Sequence, residues 1–455
     1  MVVLKFGGTS VADPAALSRL IDIVSLRMDE EPVVVVSALG GVTDRLIGLT
    51  AQIRSGDCEG ARATVEQLRD RHLAMAASLA NSAPHQELVH ALNEEFTQLS
   101  GVVDALCVLR EVSPRWVDAI AATGELCSSR IVASALEAAG VTSVWVDARR
   151  VMVTADDFGQ ATPQFDATTA RLEAEVRPAI NTGLVPVIGG YVGATTGGVT
   201  TTLGRGGSDY SAAIVGAALE ADEIQIWTDV DGMLTADPRL IADAHVVSHL
   251  SFAEASELAY FGAKVLHPST ILPAMTKGIP VRILNSRNAA APGTLITATR
   301  PDDGRPVTAV ASKRQVTVVD IASTRMLMAH GFLRQLFAVF ERHAISVDVV
   351  TTSEVSVSVT VDDVRRLNQA IAELETFADV TREDGMAIVC AVGEGIGRTP
   401  LVLAQLINAV SDVPVRMLSQ AAERRNITMV ISDRDLPQVL ERIHSGVFAQ
   451  SGASA

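Results

Sequence analysis

The segment KFGGTS at residues 5–10 sets a lysine at the end of a short apolar run and follows it with two glycines. Glycine has no Cβ, so the backbone N–H groups of Gly7 and Gly8 can approach an anion closely. A helix predicted from Pro14, after the N-cap candidate Asp13, adds its positive end to the same region. An ammonium beside exposed N–H groups indicates a phosphate site, although a plain tight turn would also use two glycines.

The segment TTTLGRGGSDY at residues 200–210 combines three threonines, three glycines and one arginine with a helix predicted from Ser208. The glycines leave the Arg205 guanidinium room to bind a planar oxyanion through two parallel hydrogen bonds. A flexible surface loop is the alternative, and Asp209 could simply support the N-terminus of the helix. The composition favours an anion-binding loop.

Three further segments carry candidate groups. TDVDG at 228–232 and TADPR at 235–239 follow a predicted strand, where open α/β sheets bind ligands, although an acidic turn would look the same. Lys264, in the apolar segment FGAKVLHP, needs a counter-charge that a nucleotide phosphate or a protein carboxylate could supply. Glu125 lies on a predicted helix of small apolar residues, where it could bind an amine or be an ordinary solvated residue.

The composition disfavours several classes of protein. The 455 residues are 48 % hydrophobic and 20 % charged, which indicates a soluble globular chain of about two to four domains. A formal net charge of −16 disfavours nucleic acid and anionic membranes as partners, so an anionic substrate would need a local positive field. Neither a transmembrane helix nor a signal peptide is predicted, and the four scattered cysteines predict buried, reduced thiols in a cytoplasmic protein.

Alternating elements must position these groups. The predicted strands lie at residues 2–6, 33–36, 144–146, 185–188 and 224–227, with helices between them. This order indicates an α/β domain with a mainly parallel sheet, and it is followed near residue 300 by a polar, turn-rich segment typical of a linker.

The residues beyond 304 contain a weak internal repeat. A strand at 316–319 leads to Gly331 and a helix, and a strand at 387–390 leads to Gly397 and a helix. Each copy continues with two strands and a helix, which matches the ferredoxin-like βαββαβ plan. Two such units are expected to pack together, within one chain or between chains.

Taken in order, these segments resemble the aspartate kinases, a family with the amino-acid kinase fold. The matching segments are KFGGTSVAD, VVVSALGGVTD, TTTLGRGGSDY, WTDVDGMLTADPR and FGAKVLHPST. The resemblance extends over essentially the whole chain. It implies an amino-acid kinase catalytic domain at 1–300, with a mainly parallel sheet between helices, and two ferredoxin-like ACT domains at 308–380 and 381–449.

The resemblance also implies a reaction and its residues. The γ-phosphoryl of ATP, with Mg²⁺, would move to the β-carboxylate of L-aspartate, the first step toward lysine, threonine and methionine. Catalysis would involve Lys5, Asp209 and Lys264. The nucleotide would contact Lys5, Gly7, Gly8, Thr228, Asp229, Leu234, Arg239, Lys264 and Val265, with Leu234 standing where relatives often carry tyrosine. Aspartate would be held by Ser37, Thr43, Glu125, Arg205, Gly206, Gly207 and Ser208, with Arg205 on the α-carboxylate and Glu125 on the α-ammonium.

Regulation is implied by residues that resemble the effector site of lysine-sensitive members, namely Met326, Gly331, Phe332, Leu333 and Asp348. Lysine is the first expected effector and threonine the second, with insensitivity as an alternative. Because such sites usually lie between ACT domains of paired subunits, a homodimer or a dimer of dimers is expected.

Two other functions stay open from the sequence. A kinase of this fold could act on glutamate, acetylglutamate or a nucleoside monophosphate, since fold alone does not choose the acceptor. Glu125 with Arg205 and the paired C-terminal repeats favour aspartate. A non-catalytic amino-acid sensor would keep only the ACT pair, and the intact lysines and glycines argue against it.

Overall fold

The computed structural model describes residues 1–79, 85–262, 268–301, 304–323, 330–423 and 425–448. The chain divides into two compact units. Unit 1 comprises Met1–Met233 and Val265–Arg300, and unit 2 comprises Leu234–Lys264 and Pro301–Ala455. Residues 234–264 therefore group with unit 2, although the sequence predicts them within the domain 1–300. None of the described helices combines the length and apolarity that crossing a membrane requires.

The elements are numbered in chain order. The strands are β1 (Val2–Phe6), β2 (Pro32–Val36), β3 (Ser143–Val146), β4 (Val153–Thr154), β5 (Val185–Gly189), β6 (Val192–Thr195), β7 (Thr200–Thr202), β8 (Glu223–Thr228), β9 (His249–Ser251), β10 (Val281–Asn285), β11 (Thr294–Thr297), β12 (Ala309–Ala322), β13 (Val350–Thr352), β14 (Ser356–Val361), β15 (Asp379–Val392), β16 (Met417–Gln420) and β17 (Asn426–Ser432). The α-helices are α1 (Pro14–Ser25), α2 (Val42–Ser55), α3 (Cys58–Ala77), α4 (His85–Leu109), α5 (Pro114–Ala138), α6 (Ala148–Val151), α7 (Phe165–Glu175), α8 (Arg177–Asn181), α9 (Gly207–Ala218), α10 (Phe252–Tyr260), α11 (Leu272–Lys277), α12 (Phe332–Arg342), α13 (Leu367–Leu374), α14 (Pro400–Ala409) and α15 (Leu436–Phe448).

The central sheet of unit 1 has the strand order β3-β5-β2-β1-β8-β10-β11. Its strands pair in parallel from β3 to β10, and β11 pairs antiparallel with β10. Every residue of β1 and β2 is buried, which explains why both read as unbroken apolar runs. The prediction of a mainly parallel α/β sheet is confirmed, and its carboxyl ends meet at one edge, where ligands bind in such sheets.

The helix after β1 begins as the sequence predicts. Asp13 Oδ1 accepts a hydrogen bond of 2.8 Å from the backbone N–H of Ala16, and Pro14 takes the first helical position. A smaller sheet has the strand order β4-β6-β7. The hydroxyl oxygens of Thr154 on β4 and Thr201 on β7 lie 2.7 Å apart and form a hydrogen bond. This small sheet leads directly into the glycine-rich segment at 203–207.

Two cysteines depart from the prediction of reduced thiols. Cys58 begins α3, Cys107 lies near the end of α4, and the two form a disulfide with Cα atoms 5.8 Å apart. The other two, Cys127 and Cys390, are free and buried. The sequence hides the pair because the partners are 49 residues apart and meet only when α3 and α4 pack antiparallel.

His72 gives unit 1 a predicted sensitivity to acid. Its ring is fully buried on α3, and Nδ1 lies 2.6 Å from the carbonyl oxygen of Leu68. Burial lowers the pKa of His72 from 6.5 to about 4, although the hydrogen bond to Leu68 opposes this shift. The unfolded chain therefore binds a proton that the folded chain does not bind, so the contribution of His72 to stability is complete above pH 6.5 and is lost as the pH drops toward 4.

We expect His72→Leu to remove this decline, so the difference in unfolding free energy between the variant and the wild type should change by about 3 kcal/mol across the window for a shift of this size. Urea denaturation at pH 7 and at pH 4 measures the difference. His90→Leu, an exposed histidine on α4, should leave the decline unchanged. A decline of equal slope in the His72 variant would show that other groups cause it.

Unit 2 contains an antiparallel sheet in the order β13-β14-β12-β15-β17-β16. The strands β12 and β15 have 14 residues each and pair along their whole length. The second half of β12 and the first half of β15 complete a four-stranded ferredoxin-like set with β13 and β14. The remaining halves complete a second set with β16 and β17. The ferredoxin-like plan is confirmed, but the copies share two strands instead of following one another.

The predicted starts of the two copies need correction for this reason. The strand predicted at 316–319 begins at Ala309, because its first half belongs to the second set and pairs with 388–392. The pairing register shifts between Lys313 and Val316, and Gln315 there adopts φ 58°. Such a bulge interrupts the regular alternation of side chains along a strand. A prediction from the sequence pattern therefore divides the long strand into two short segments.

The segment that follows β8 joins unit 2 through its apolar side chains. Ala236 and Ile241 are buried in a core with Val307, and the N–H of Val310 donates to the Thr235 carbonyl at 2.8 Å. The Thr235 hydroxyl lies 2.9 Å from Nε2 of His444. These contacts explain why 234–264 separate from unit 1.

Candidate active site

A pocket of about 570 Å³ opens in unit 1 at the carboxyl edge of the central sheet. Its wall comes from β1, the loop between β2 and α2, α5 and the loop that precedes α9. The sequence-predicted residues that line it are Lys5, Gly8, Ser37, Thr43, Glu125, Arg205, Gly206, Gly207, Ser208 and Asp209. Residues far apart in the sequence therefore meet in one cavity.

Lys5 and Asp209 form the charged pair of this pocket. Nζ of Lys5 lies 2.6 Å from Oδ1 of Asp209, and the two side chains are 9 % and 15 % exposed. Lys5 lies near the end of β1, and Asp209 lies in the first turn of α9. The lysine ammonium is thus held in the pocket by a carboxylate.

The glycines after Lys5 do not both serve as predicted. The N–H of Gly7 donates to the carbonyl oxygen of Trp227 at 3.0 Å, because β1 and β8 are neighbours, and it is not available to an anion. Gly8 lines the pocket, and a Cβ there would lie 3.0 Å from the carbonyl oxygen of Ala38. Close approach of two backbone segments therefore requires glycine at this position.

Backbone conformation requires the glycines around Arg205. Gly204 and Gly206 adopt φ 78° and 71°, which side chains disfavour. A Cβ at Gly207 would lie 2.5 Å from Cδ2 of Tyr191. Arg205 itself is exposed and has no ion pair with any residue in the described part of the chain, so its guanidinium is available to an anion.

Glu125 is the buried acid of the pocket. Its side chain lies on α5, where every residue from Ile120 to Ser129 is buried, and no group in the described ranges hydrogen-bonds Oε2. Burial raises the pKa of Glu125 to about 8, while hydrogen bonds from the backbone of Ala38 and Glu125 and the charge of Lys5 lower it. A buried carboxyl oxygen without a partner suits a ligand that brings its own positive charge.

Four of the other predicted nucleotide contacts, Thr228, Asp229, Leu234 and Arg239, are not among the residues that line this pocket. Thr228 ends β8 and Asp229 follows it, and the Thr228 carbonyl accepts hydrogen bonds from the N–H and hydroxyl of Ser286 at 2.8 and 3.0 Å. Leu234 and Arg239 belong to unit 2, where the exposed Arg239 guanidinium pairs with Asp237 at 2.6 Å. Lys264 and Val265 lie outside the described residues.

The predicted effector residues that the structure describes do not all line the same cavity of unit 2. Gly331 and Phe332 line a cavity of about 480 Å³ at the start of α12, and Leu333 is exposed beside them. Asp348 does not line it and instead forms an ion pair of 2.9 Å with Lys313 and accepts a hydrogen bond of 3.1 Å from Tyr260. Met326 lies outside the described residues.

Several pocket residues were given no individual role in the sequence analysis, although some stand in the segments that it names. They are Ala38, Leu39, Gly40, Gly41, Asp44, Ile47, Gly159, Tyr191 and Gly204. Tyr191 carries the clearest sequence signal, because it follows two glycines at the end of β5. In the structure it adopts φ 64°, which is uncommon for a side chain of its size. Gly159 gives no signal, since only folding brings its loop to the pocket.

Comparison with known proteins agrees with the fold and the pocket. Residues 1–285 match the family model of the amino acid kinase family, and residues 389–446 match that of an ACT domain. The sheet, the pocket and these matches define a kinase of the amino acid kinase class with a regulatory type of C-terminal domain.

Two curated relatives narrow the class. Lysine-sensitive aspartokinase 3 of Escherichia coli (strain K12) is 36 % identical over 98 % of this chain and 99 % of its own length. Aspartokinase 1, chloroplastic, of Arabidopsis thaliana is 37 % identical over 99 % of this chain and 81 % of its own. The chain belongs to the aspartokinase family, which confirms the resemblance seen in the sequence.

Solved structures agree with this. The crystal structure of E. coli aspartokinase III in complex with aspartate and ADP (R-state) has a TM-score of 0.84 and 35 % identity, covering 98 % of this chain and 100 % of that one. The structure of the same enzyme in complex with lysine and aspartate (T-state) has a TM-score of 0.83 and 34 % identity, covering 98 % and 99 %.

Proposed function

We propose that this chain transfers the γ-phosphoryl group of ATP to the β-carboxylate of L-aspartate and so forms 4-phospho-L-aspartate. The observation that carries the proposal is one pocket in which a buried acid, Glu125, lies with the cations Lys5 and Arg205. Membership of the aspartokinase family and the aspartate and ADP complex of E. coli aspartokinase III support it.

The amino acid is held by groups of opposite charge. Arg205 binds the α-carboxylate, and Glu125 binds the α-ammonium, which selects an α-amino acid over a plain dicarboxylate. The hydroxyls of Ser37, Thr43 and Ser208 line the same pocket, and Gly206 and Gly207 leave the backbone open to the ligand. The β-carboxylate then points toward the phosphate-binding cations.

The phosphoryl acceptor needs no general base. A carboxylate with an ordinary pKa of about 3.9 is already ionised at neutral pH, so it is a ready nucleophile. What the pocket must supply is alignment of two anions and neutralisation of their charge. Lys5, Lys264 and Gly8 are proposed to act on the phosphates. Gly7, whose N–H is already bonded, is proposed to keep the space beside the ammonium clear, because a Cβ there would lie 3.7 Å from Lys5 Nζ. Thr228, Asp229, Leu234, Arg239 and Val265 are proposed to line the nucleotide site.

Mg²⁺ is proposed to accompany ATP. Asp209 fits this ion, because it is a carboxylate of the pocket wall next to Lys5 and hard oxygen donors suit Mg²⁺. When bound with the nucleotide, the ion supplies further positive charge to the phosphate oxygens. Asp209 also holds the Lys5 ammonium in place, which orients it toward the incoming phosphate.

The biological setting is proposed on the same basis. The reaction is the first step toward lysine, threonine and methionine in the cytoplasm, and the chain acts as a homodimer or a dimer of dimers. Feedback control by lysine first and threonine second is proposed at Met326, Gly331, Phe332, Leu333 and Asp348. A lysine ammonium that binds Asp348 must compete with Lys313, which holds that carboxylate at 2.9 Å.

The test is a turnover assay with trapping of the acyl phosphate by hydroxylamine. Aspartate is expected to give a hydroxamate with ATP, whereas glutamate and acetylglutamate are not. Nucleoside monophosphates have no carboxylate to trap, so they are tested by formation of the nucleoside diphosphate, which is not expected. Absence of product from aspartate would overturn the proposal. Repeating the assay with added lysine and added threonine tests the effector, and hydroxamate from another acceptor would reassign the substrate.

Arg205→Gln is expected to raise the KM for aspartate by about 10- to 100-fold, the usual effect of losing a charge-assisted hydrogen bond. The KM for ATP should stay within about twofold, because the contact is to the amino acid alone. Steady-state kinetics with each substrate varied in turn measures both. The control is Arg150→Gln, an exposed arginine of unit 1 paired with Glu175 outside the pocket, which should change neither constant.

A further inference from the structure

Asp118 is a buried carboxylate that the sequence analysis does not single out. It lies on α5, is 1 % exposed and does not line the pocket. Its Oδ2 accepts hydrogen bonds of 2.9 Å from the N–H groups of Gly159 and Thr202, and its Oδ1 accepts one of 2.9 Å from the Thr202 hydroxyl. A carboxylate so deeply buried persists only where donors such as these satisfy it.

The donors belong to two loops that form the pocket. Gly159 lines the pocket directly, and Thr202 ends β7 immediately before the loop 203–207 that carries Arg205. The loops also contact each other, because the N–H of Ala161 donates to the Thr202 carbonyl at 2.8 Å. One carboxylate therefore ties both loops to α5.

A third pocket group is reached through Thr202. The N–H of the next residue, Leu203, donates to the carbonyl oxygen of Tyr191 at 2.9 Å, and Thr202 itself pairs with Val192 on the neighbouring strand. Tyr191 lines the pocket, and its ring lies against Gly207. Asp118 is thus connected through Thr202 and Leu203 to Tyr191 in the pocket wall.

The helix that carries Asp118 also carries Glu125. The two residues are seven positions apart on α5, which is almost two full turns and places both side chains on the same face. The helix is buried along this stretch, so it is a rigid base for both. A fixed position of the Arg205 loop relative to α5 is therefore a fixed position relative to Glu125.

We propose that Asp118 is a positioning residue that sets the separation between Arg205 and Glu125 and thereby the fit of the α-carboxylate and α-ammonium of the substrate. This inference rests on the proposed function, in which those two residues hold the amino acid. Asp118 touches neither substrate. It affects binding because Arg205 and Glu125 must contact the α-carboxylate and the α-ammonium at the same time. Such a pair tolerates little change in the distance between its two groups.

The experiment compares Asp118→Asn and Thr202→Val in the full-length protein. Asparagine keeps the shape but removes the negative charge and replaces one accepting oxygen with an N–H₂ group, which leaves a buried donor without an acceptor, and valine removes only the hydroxyl bond. We expect Asp118→Asn to raise the KM for aspartate by about 10- to 50-fold, a cost typical of unpairing buried donors, and Thr202→Val to raise it less. The KM for ATP should stay within about twofold in both, since the loops contact the amino acid.

Val103→Ala controls for general loss of stability, because Val103 is fully buried on α4 away from both loops. It should lower the melting temperature without changing either KM. A proportional rise of both KM values in the Asp118 variant, or no rise in the aspartate KM, would overturn the proposal. If Asp118→Asn does not fold, the same criteria apply to Thr202→Val.

The wild-type assay separates this inference from the function it rests on. If wild-type protein makes no hydroxamate from aspartate, the proposed function fails first. Aspartate binding by calorimetry then tests the inference without turnover, and equal affinity in wild type and Asp118→Asn would overturn it. Weaker binding in the variant, together with faster hydrogen exchange at 159 and 202–207, would support it.

Discussion

Lys5→Met is expected to lower kcat by about 10²–10³-fold, the range seen when one preorganised electrostatic donor is removed from a reacting centre. The methionine keeps the length and apolar body of the side chain but removes the ammonium that lies 2.6 Å from Asp209. Two anions must then approach each other with one cation fewer between them. Single-turnover measurements with saturating ATP and aspartate separate this effect on chemistry from any effect on binding.

The loss of charge also leaves Asp209 without its partner, which is a cost to stability independent of catalysis. Arg282→Met is the matched control, because Arg282 forms an ion pair of 2.9 Å with Glu223 in the same sheet but at the amino ends of the strands. It should lose stability and retain kcat. Wild-type turnover in Lys5→Met would remove Lys5 from the mechanism.

Glu125→Gln is expected to raise the KM for aspartate by about 10- to 100-fold, because a neutral amide replaces the charged partner of the α-ammonium. The same change should abolish a pH dependence. With its pKa raised to about 8 by burial, Glu125 is mostly protonated in the empty pocket at pH 7. An ammonium favours the ionised form, so binding of aspartate should release a proton.

The direction of this pH dependence follows from the raised pKa of Glu125. Apparent affinity of the wild type for aspartate should increase with pH, by up to about tenfold per unit below pH 8, and level off above it. The unfolding free energy should change in the opposite sense. Glu125 keeps a proton in the folded protein between pH 4.5 and 8 that it has lost in the unfolded chain, so the contribution of Glu125 to stability falls as pH rises through that window.

Calorimetry in two buffers of different ionisation enthalpy measures the released proton, and steady-state kinetics from pH 6 to 9 measures the slope. Glu137→Gln, an exposed glutamate near the end of α5, should behave as wild type. A slope in Glu125→Gln as steep as that of the wild type would show that another group titrates.

Much of the catalytic fold could be predicted because its signals are local. The valine run of β2 marks a strand buried on both faces, and Asp13 with Pro14 marks a helix start. The pocket could be predicted in part for the same reason, since the glycines around Arg205 and after Lys5 stand in short segments of unusual composition.

The remainder depended on contacts that no local pattern contains. In the sequence, Asp118 cannot be distinguished from other acidic residues on helices, because its hydrogen-bond partner Thr202 is 84 residues away. The sequence predicts that the N–H of Gly7 is available to an anion, because it does not show that β8 lies beside β1. The disulfide and the two shared strands of unit 2 likewise follow from the packing of distant segments, which hydrophobic period alone does not specify.

The two strands shared in unit 2 mean that neither regulatory half can be cut out as a module. A protein truncated just before Asp379 would lose β15, and the half built on β13 and β14 would be left with an open edge along β12. Exposed edges of this kind invite pairing with other molecules and aggregation. Replacement of the effector region by a foreign one should therefore exchange Ala309 to Phe448 as one piece, because β12 and β15 belong to both halves.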